Sequence, residues 1–209
     1  MTRRLILIRH AQSPANASGL IDSRPPGPGL SAAGSAQAAA LADRLALAGI
    51  QGIRCSTALR AIETTPLAER LGFTLDLADD LVELDCGTLD GRDDAGAWDE
   101  FRQVFQGWVD GRRDLAFPEG ESWADVEKRV LPALLAPAEV ADGSAVAVVG
   151  HGGVFRIALE ALLGADLAKQ IGWMHNAGLV TLADAPDGCW VLESSDPGER
   201  DPFDTVGQT

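Results

Sequence analysis

The sequence predicts an α/β fold of three layers: a mainly parallel central sheet, helices on both faces, and a small helical lid insertion. Three observations carry this prediction. Leu5-Ile6-Leu7-Ile8 and Ala145-Val146-Ala147-Val148-Val149 are apolar runs too short for core helices and suited to strands buried on both faces. Stretches with helical apolar spacing alternate with strands through most of the chain, a pattern that gives parallel strands covered on both sides. From about residue 90 to 123 the composition turns aromatic, which marks the insertion.

The first strand, Leu5–Ile8, ends at Arg9 and His10, followed by small and polar residues up to Asn16. Arg24-Pro25-Pro26-Gly27-Pro28-Gly29 is a rigid loop. Ser31 reads as a helix N-cap and Gly49 as its stop, with Ala38, Leu41, Leu45 and Ala48 on one face. Ile50 to Cys55 is a second strand, and a helix is expected over 58–71 with Arg60 in its first turn. Helix amides and a guanidinium at a strand end favour an anion. Glu83 lies in an irregular stretch among apolar residues. Trp98, Phe101, Phe105 and Trp108 share one helical face, which suits a stripe packed on the body, a wall of the substrate pocket, or both. A helix is expected over 121–135, then the strand ending at Val149, the turn Gly150-His151-Gly152-Gly153, and a helix from Val154 closed by Gly164. Leu179–Ala183 and Cys189–Leu192 form a terminal strand pair. We expect one domain over 1–193 and a loose polar tail over 194–209.

The formal net charge of −14 argues against nucleic acid or an anionic membrane surface as the main partner, while allowing a local arginine cluster to bind a small anion. Met1-Thr2-Arg3-Arg4 and the apolar residues after it are too short for a signal peptide, and no apolar run could span a bilayer. The 3 cysteines are odd in number and lack CxxC spacing, as expected of reduced thiols in a cytoplasmic protein. A homodimer is favoured only by the commonness of twofold assemblies.

Two histidines, two arginines and a carboxylate at one sheet edge suit phosphoryl transfer through a covalent intermediate. His10 would attack phosphorus as a neutral imidazole. Arg9 and Arg60 would hold the equatorial oxygens. Glu83 would protonate the departing alkoxide, and His151 and Asn16 would donate hydrogen bonds.

These residues sit in strings that resemble the histidine phosphatase superfamily, the phosphoglycerate-mutase-like proteins. Arg9-His10-Ala11 with Asn16 resembles its R-H-G…N signature, and Ser56 to Thr64 its S-x-x-x-R-A-x-x-T helix. Leu30 to Ala38 is similar to its L-[ST]-x-x-G-x-x-Q-A helix start. Glu83 to Gly87 with Gly91 resembles its acid segment, Gly120-Glu121-Ser122 the start of the lid's last helix, and Gly150-His151-Gly152-Gly153 its second-histidine turn. The resemblance implies a phosphohistidine on His10, a phosphate site including Arg9, Asn16, Arg60, His151 and Gly152, and neither metal nor organic cofactor. One departure stands out: Ala11 replaces the usual Gly, which allows more backbone conformations and leaves room beside the phosphate.

A small phosphomonoester is therefore the expected substrate and hydrolysis the expected reaction. Mutase-type transfer and a non-catalytic phosphate-binding role are the alternatives. The short acid segment and the absence of Tyr disfavour the mutase pattern. A metal site from His10, His151 and Glu83 lacks close ligand spacing, and its arginines would repel a cation. Arg24, Arg92, Arg102, Arg112, Arg113 and Arg156 are either solvated or bind a second anionic group of the substrate.

Overall fold

Strand β1 (Arg4–Arg9) is the hub of a six-stranded sheet in a computed structural model that describes residues 3–136 and 144–200. Leu5 and Leu7 pack into one apolar cluster and Ile6 and Ile8 into another, so the strand is buried on both faces as its unbroken apolar run requires. The chain continues through α1 (Pro14–Ser18), α2 (Ala32–Leu45), β2 (Ile50–Ser56), α3 (Leu59–Glu63), α4 (Pro66–Leu71) and β3 (Asp76–Ala78). Then come α5 (Ala95–Val109), α6 (Trp123–Leu135), β4 (Ala145–Gly150), α7 (Gly152–Leu163), α8 (Ala165–Ile171), β5 (Leu179–Asp184) and β6 (Trp190–Asp196).

The strand order is β3-β2-β4-β1-β5-β6. β3, β2, β4 and β1 are mutually parallel; β5 runs antiparallel to β1 and β6 antiparallel to β5. The chain leaves β1 toward β2 on one side and leaves β4 toward β5 on the other. The adjacent carboxyl ends of β1 and β4 therefore form the topological switch point, where a ligand crevice opens in such sheets. Register completes the alignment. Arg9 pairs with Gly150 and Cys55 with Val149, so the residues just beyond three strands lie at one level.

α2 and α4 cover one face through Leu41, Leu45, Leu67 and Ala68. α5, α6 and α7 cover the other through Phe101, Trp108, Val126, Val130, Phe155 and Leu159. Ser31 caps α2 by accepting the Gly34 amide, as the sequence predicts. The helix expected over 58–71 is two helices. Pro66 supplies no amide hydrogen and disfavours α geometry at Thr65, so the chain restarts at α4. α7 begins at Gly152, two residues before the expected Val154. α1, β3 and α8 are too short to show a period in sequence.

The polar tail expected from 194 also begins later. Thr181 pairs with Ser194, Val180 with Ser195 and Leu179 with Asp196. Polar residues serve there because β6 is an outer strand facing water. The part of that expectation covering 201–209, and the reading of Met1-Thr2, lie outside the described residues.

Among the aromatic residues of α5, Phe101, Phe105 and Trp108 are buried, and Trp108 also packs on Phe117 and Trp123. Trp98 is half-buried, and its indole donates to the Gly19 carbonyl at 2.8 Å. The stripe is therefore largely core, and Trp98 and Phe101 also line a pocket.

Candidate active site

The crevice at the switch point holds His10, one residue past β1, and His151, one residue past β4. Their rings lie 5.0 Å apart between centroids and both side chains are buried. The backbone fixes His10: its amide donates to the Gly150 carbonyl at 2.9 Å, and the Asn176 side chain donates to its carbonyl at 3.0 Å.

The hydrogen bonds of the imidazole define its tautomer. Nδ1 is 2.8 Å from the Ala11 carbonyl, which can only accept, so Nδ1 carries the proton. Nε2 is 3.2 Å from Nε of Arg60, which can only donate, so Nε2 presents its lone pair. Burial, and then the Arg60 and Arg9 guanidinium groups, push the His10 pKa well below its ordinary 6.5. His151 is lowered in the same way, by burial first and then by Arg60, His10 and Arg9. Its Nε2 lies 2.9 Å from Ser56 Oγ, and its buried Nδ1 meets no hydrogen-bond partner among the described residues.

These two shifts set a pH dependence of stability. Between the folded pKa values and 6.5 the unfolded chain binds more protons than the folded one, so stability is lost as pH falls below about 6.5. Each histidine contributes a slope of up to about 1.4 kcal/mol per pH unit in that window. In urea titrations from neutral pH down to about pH 5, His151→Ala is expected to show a shallower decline than the unaltered protein. Equal slopes would mean His151 is not held neutral.

Arg60, near the start of α3, is buried and held from one side. Its Nη1 lies 2.9 Å from Asp22 Oδ2 and its Nη2 donates to the Asp22 carbonyl at 3.0 Å. Burial raises the Asp22 pKa, aided by Asp90 and opposed by Arg60. Arg9 donates to the Met174 carbonyl at 2.8 Å and lies 5.7 Å from the Trp173 ring centroid. A Cβ at Gly152 would come within 2.9 Å of the Trp173 ring and 3.3 Å of the Arg9 side chain, so glycine lets them approach the turn.

Glu83 reaches the site from the stretch after β3. Its carboxylate accepts the amides of Gly153 and Val154 at 3.1 Å each, and that of Leu84 at 2.9 Å. It thus caps the first turn of α7, where no other side chain caps the helix. Asn16 accepts from Ser13 and Asn176 through its carbonyl oxygen, which leaves its amide group to donate. Arg9, Asn16, Asp22, Glu83 and Gly153 line a common pocket of about 90 Å³ with Leu20, Ile21, Leu84, Trp98, Phe101 and Trp173.

Arg9, His10, Asn16, Arg60, Glu83, His151 and Gly152 therefore gather at one strand-end crevice, whereas Arg24, Arg92, Arg102, Arg112, Arg113 and Arg156 do not line its pocket. Asp22, Ser56 and Asn176 were not among the residues singled out from the sequence. Ser56 had a signal, its place at the end of β2; Asp22 and Asn176 sit in irregular chain and had none. Thr64 joins the set by accepting the Ala11 amide at 2.9 Å while donating to the Arg60 carbonyl at 2.7 Å. Ala11 is buried and is not among the residues with positive φ, so its methyl imposes no backbone strain. Ala11→Gly is accordingly expected to change turnover by less than about tenfold; a larger rise would show that the methyl obstructs the phosphate.

No helix among the described residues is long and apolar enough to cross a membrane. None of their His, Cys, Asp and Glu side chains form a group of three or more able to hold a metal ion.

Residues 5–197 match the histidine phosphatase superfamily (branch 1). The chain is 32% identical over 197 residues to a probable phosphoglycerate mutase of Yersinia enterocolitica, covering 91% of each protein. It is 32% identical over 171 residues to phosphoserine phosphatase 1 of Hydrogenobacter thermophilus, covering 79% of each. A PE-PGRS family protein of Mycobacterium tuberculosis is 30% identical over 208 residues, and there the chain spans only 35% of the relative's length. A mycobacterial glucosyl-3-phosphoglycerate phosphatase superposes with a TM-score of 0.77 at 27% identity, covering 92% of this chain and 98% of that one.

Proposed function

The chain belongs to branch 1 of the histidine phosphatase superfamily, and on that premise we propose that it hydrolyses a small phosphomonoester through a phosphohistidine on His10. The observation that carries this reading is the defined tautomer of His10: a neutral ring with its Nε2 lone pair directed at a guanidinium.

An incoming phosphoryl group takes over the Arg60 Nε–H, which frees Nε2 to attack phosphorus. Arg9 and Arg60 hold the equatorial oxygens and stabilise the charge spread over them in the transition state. With the Ser56 hydroxyl as donor to His151 Nε2, the imidazole proton sits on Nδ1 and is available to a phosphoryl oxygen. Asn16 and the turn at Gly152 complete the cradle. Glu83, oriented by three amides, protonates the departing alkoxide and then draws a proton from the water that cleaves the phosphohistidine. The step needs neither metal nor organic cofactor. The names of two relatives, a phosphoserine phosphatase and a glucosyl-3-phosphoglycerate phosphatase, support hydrolysis over transfer. We read the catalytic domain as running through β6, with 90–123 as its lid, and place it in a reducing cytoplasm in keeping with its free cysteines.

The test compares two leaving groups. Glu83→Gln is expected to lower kcat/KM for an alkyl phosphate by about a hundredfold, and for nitrophenyl phosphate far less, because nitrophenolate leaves without a proton and kcat/KM excludes the later water step. Equal losses on both esters would remove Glu83 as the acid.

A further inference from the structure

The pocket that shares Arg9, Asn16 and Glu83 with the proposed phosphoryl site is otherwise mostly apolar. Leu20, Ile21, Leu84, Trp98, Phe101 and Trp173 form its walls. Trp98 is pinned by its bond to the Gly19 carbonyl, and Phe101 packs between Trp98 and Phe105, with ring centroids 5.4 and 5.9 Å away. Cys86 also lines the pocket, and burial with Glu83 nearby keeps its thiol protonated and uncharged. The indole N–H of Trp173 is buried and meets no acceptor among the described residues, so one neutral donor is available to an incoming oxygen.

The charges in this wall point the same way. Arg9 is its only cation among the described residues, and in the proposed reaction Arg9 holds the phosphoryl group. The other charged groups of the lining, Asp22 and Glu83, are acidic. The arginines that could have met a second anion are elsewhere and paired with carboxylates. Arg24 meets Asp85, Arg92 meets Asp94, Arg102 meets Asp99, and Arg112 meets Asp110. Arg113 and Arg156 both meet Glu160. A carboxylate on the substrate would lie against apolar walls with no cation left to pair with it, Arg60 being held by Asp22 and Arg9 by the phosphoryl group in the proposed reaction, and an unpaired charge there is costly.

We propose that the alcohol released at this site is neutral and predominantly apolar, of the arylalkyl or branched alkyl class, and that carboxylated phosphomonoesters are disfavoured. This inference rests on the phosphatase reading above. It separates the chain from relatives whose names point to carboxylated substrates, the phosphoserine and glucosyl-3-phosphoglycerate phosphatases.

The experiment measures kcat/KM for 2-phenylethyl phosphate, glycerol phosphate, phosphoserine and 3-phosphoglycerate, all esters of primary alcohols and so similar in intrinsic reactivity. Vanadate, a phosphate mimic without an alcohol, serves as competitor. Phenylethyl phosphate is expected to exceed both carboxylated esters by about tenfold or more, with glycerol phosphate between them. Leu20→Arg, which adds a cation to the wall, is expected to shift the ratio toward 3-phosphoglycerate by about tenfold. Carboxylated esters turned over as well as or better than phenylethyl phosphate overturn this inference alone. No release from any ester, together with no binding of vanadate, overturns the phosphatase reading and this inference with it.

Discussion

Replacing His10 with alanine is expected to lower kcat/KM by about ten-thousandfold or more on any phosphomonoester the protein hydrolyses. The ring combines a tautomer fixed by its hydrogen bonds with a lone pair on Nε2. Nδ1 is committed to the Ala11 carbonyl, and Nε2 faces a guanidinium that a phosphoryl group would claim. The imidazole also stays neutral as the pH falls, because burial and two arginines oppose its protonation. The alanine variant keeps the strand, the Gly150 contact and the Asn176 contact, since these involve His10 main-chain atoms. It should therefore fold and still bind vanadate weakly. Intact-mass spectrometry after a neutral quench should show one phosphoryl adduct on the unaltered protein and none on His10→Ala. An adduct that persists on the variant would move the nucleophile elsewhere.

Arg60→Ala is expected to cost about a thousandfold in kcat/KM, within the range seen when an arginine that meets the transferring phosphoryl group is removed. In the proposed step Arg60 acts on both partners, the nucleophile through Nε and the phosphoryl oxygens through its remaining N–H groups. Its loss also leaves Asp22 in a mostly buried position without its cation. That is expected to lower the stability of the folded state by about 2–3 kcal/mol in denaturant titrations. Arg60→Lys separates the two effects. A lysine can restore the charge beside Asp22 but cannot donate to His10 Nε2 and to phosphate from one planar group. Stability should largely return while activity stays depressed by about a hundredfold. Full recovery of activity by lysine would reduce the role of Arg60 to charge alone.

Of the residues proposed to react, His10 and His151 were legible because each lies just past a strand that announces itself. Leu5–Ile8 and Ala145–Val149 are unbroken apolar runs, and a parallel sheet brings the residues beyond their carboxyl ends to one edge, whatever their separation in sequence. Arg60 was legible by the same logic after β2. The groups that support these side chains were not. Asp22 is 38 residues from Arg60 and lies in a stretch without periodicity, so its pairing is a consequence of the finished fold. Asn176 sits in the turn before β5 and acts on main-chain carbonyl geometry that no residue pattern encodes. The double duty of Glu83 as cap of α7 depends on contact between segments 70 residues apart. Among the elements, the break at Pro66 was written in the sequence, whereas β3, of 3 residues, pairs only with β2 and has no signal of its own.

The arginines of residues 90–123 show the opposite limit. Their number suggests an anion-binding wall, yet Arg92 and Arg102 pair with acids on their own segment, and Arg113 lies against the Trp123 ring. Counting charges in a segment says little about where they point. Here the acidic excess of the chain supplies partners for them.

The central claim is that phosphorus passes through His10 on its way to water. The most direct test is the stereochemical course of hydrolysis, followed with an ester whose phosphorus is made chiral by sulfur and oxygen isotopes. Two successive in-line displacements, first by His10 and then by water, predict overall retention of configuration at phosphorus, even where the intermediate is too short-lived to trap. Inversion would mean that water attacks the substrate directly, and would contradict the account.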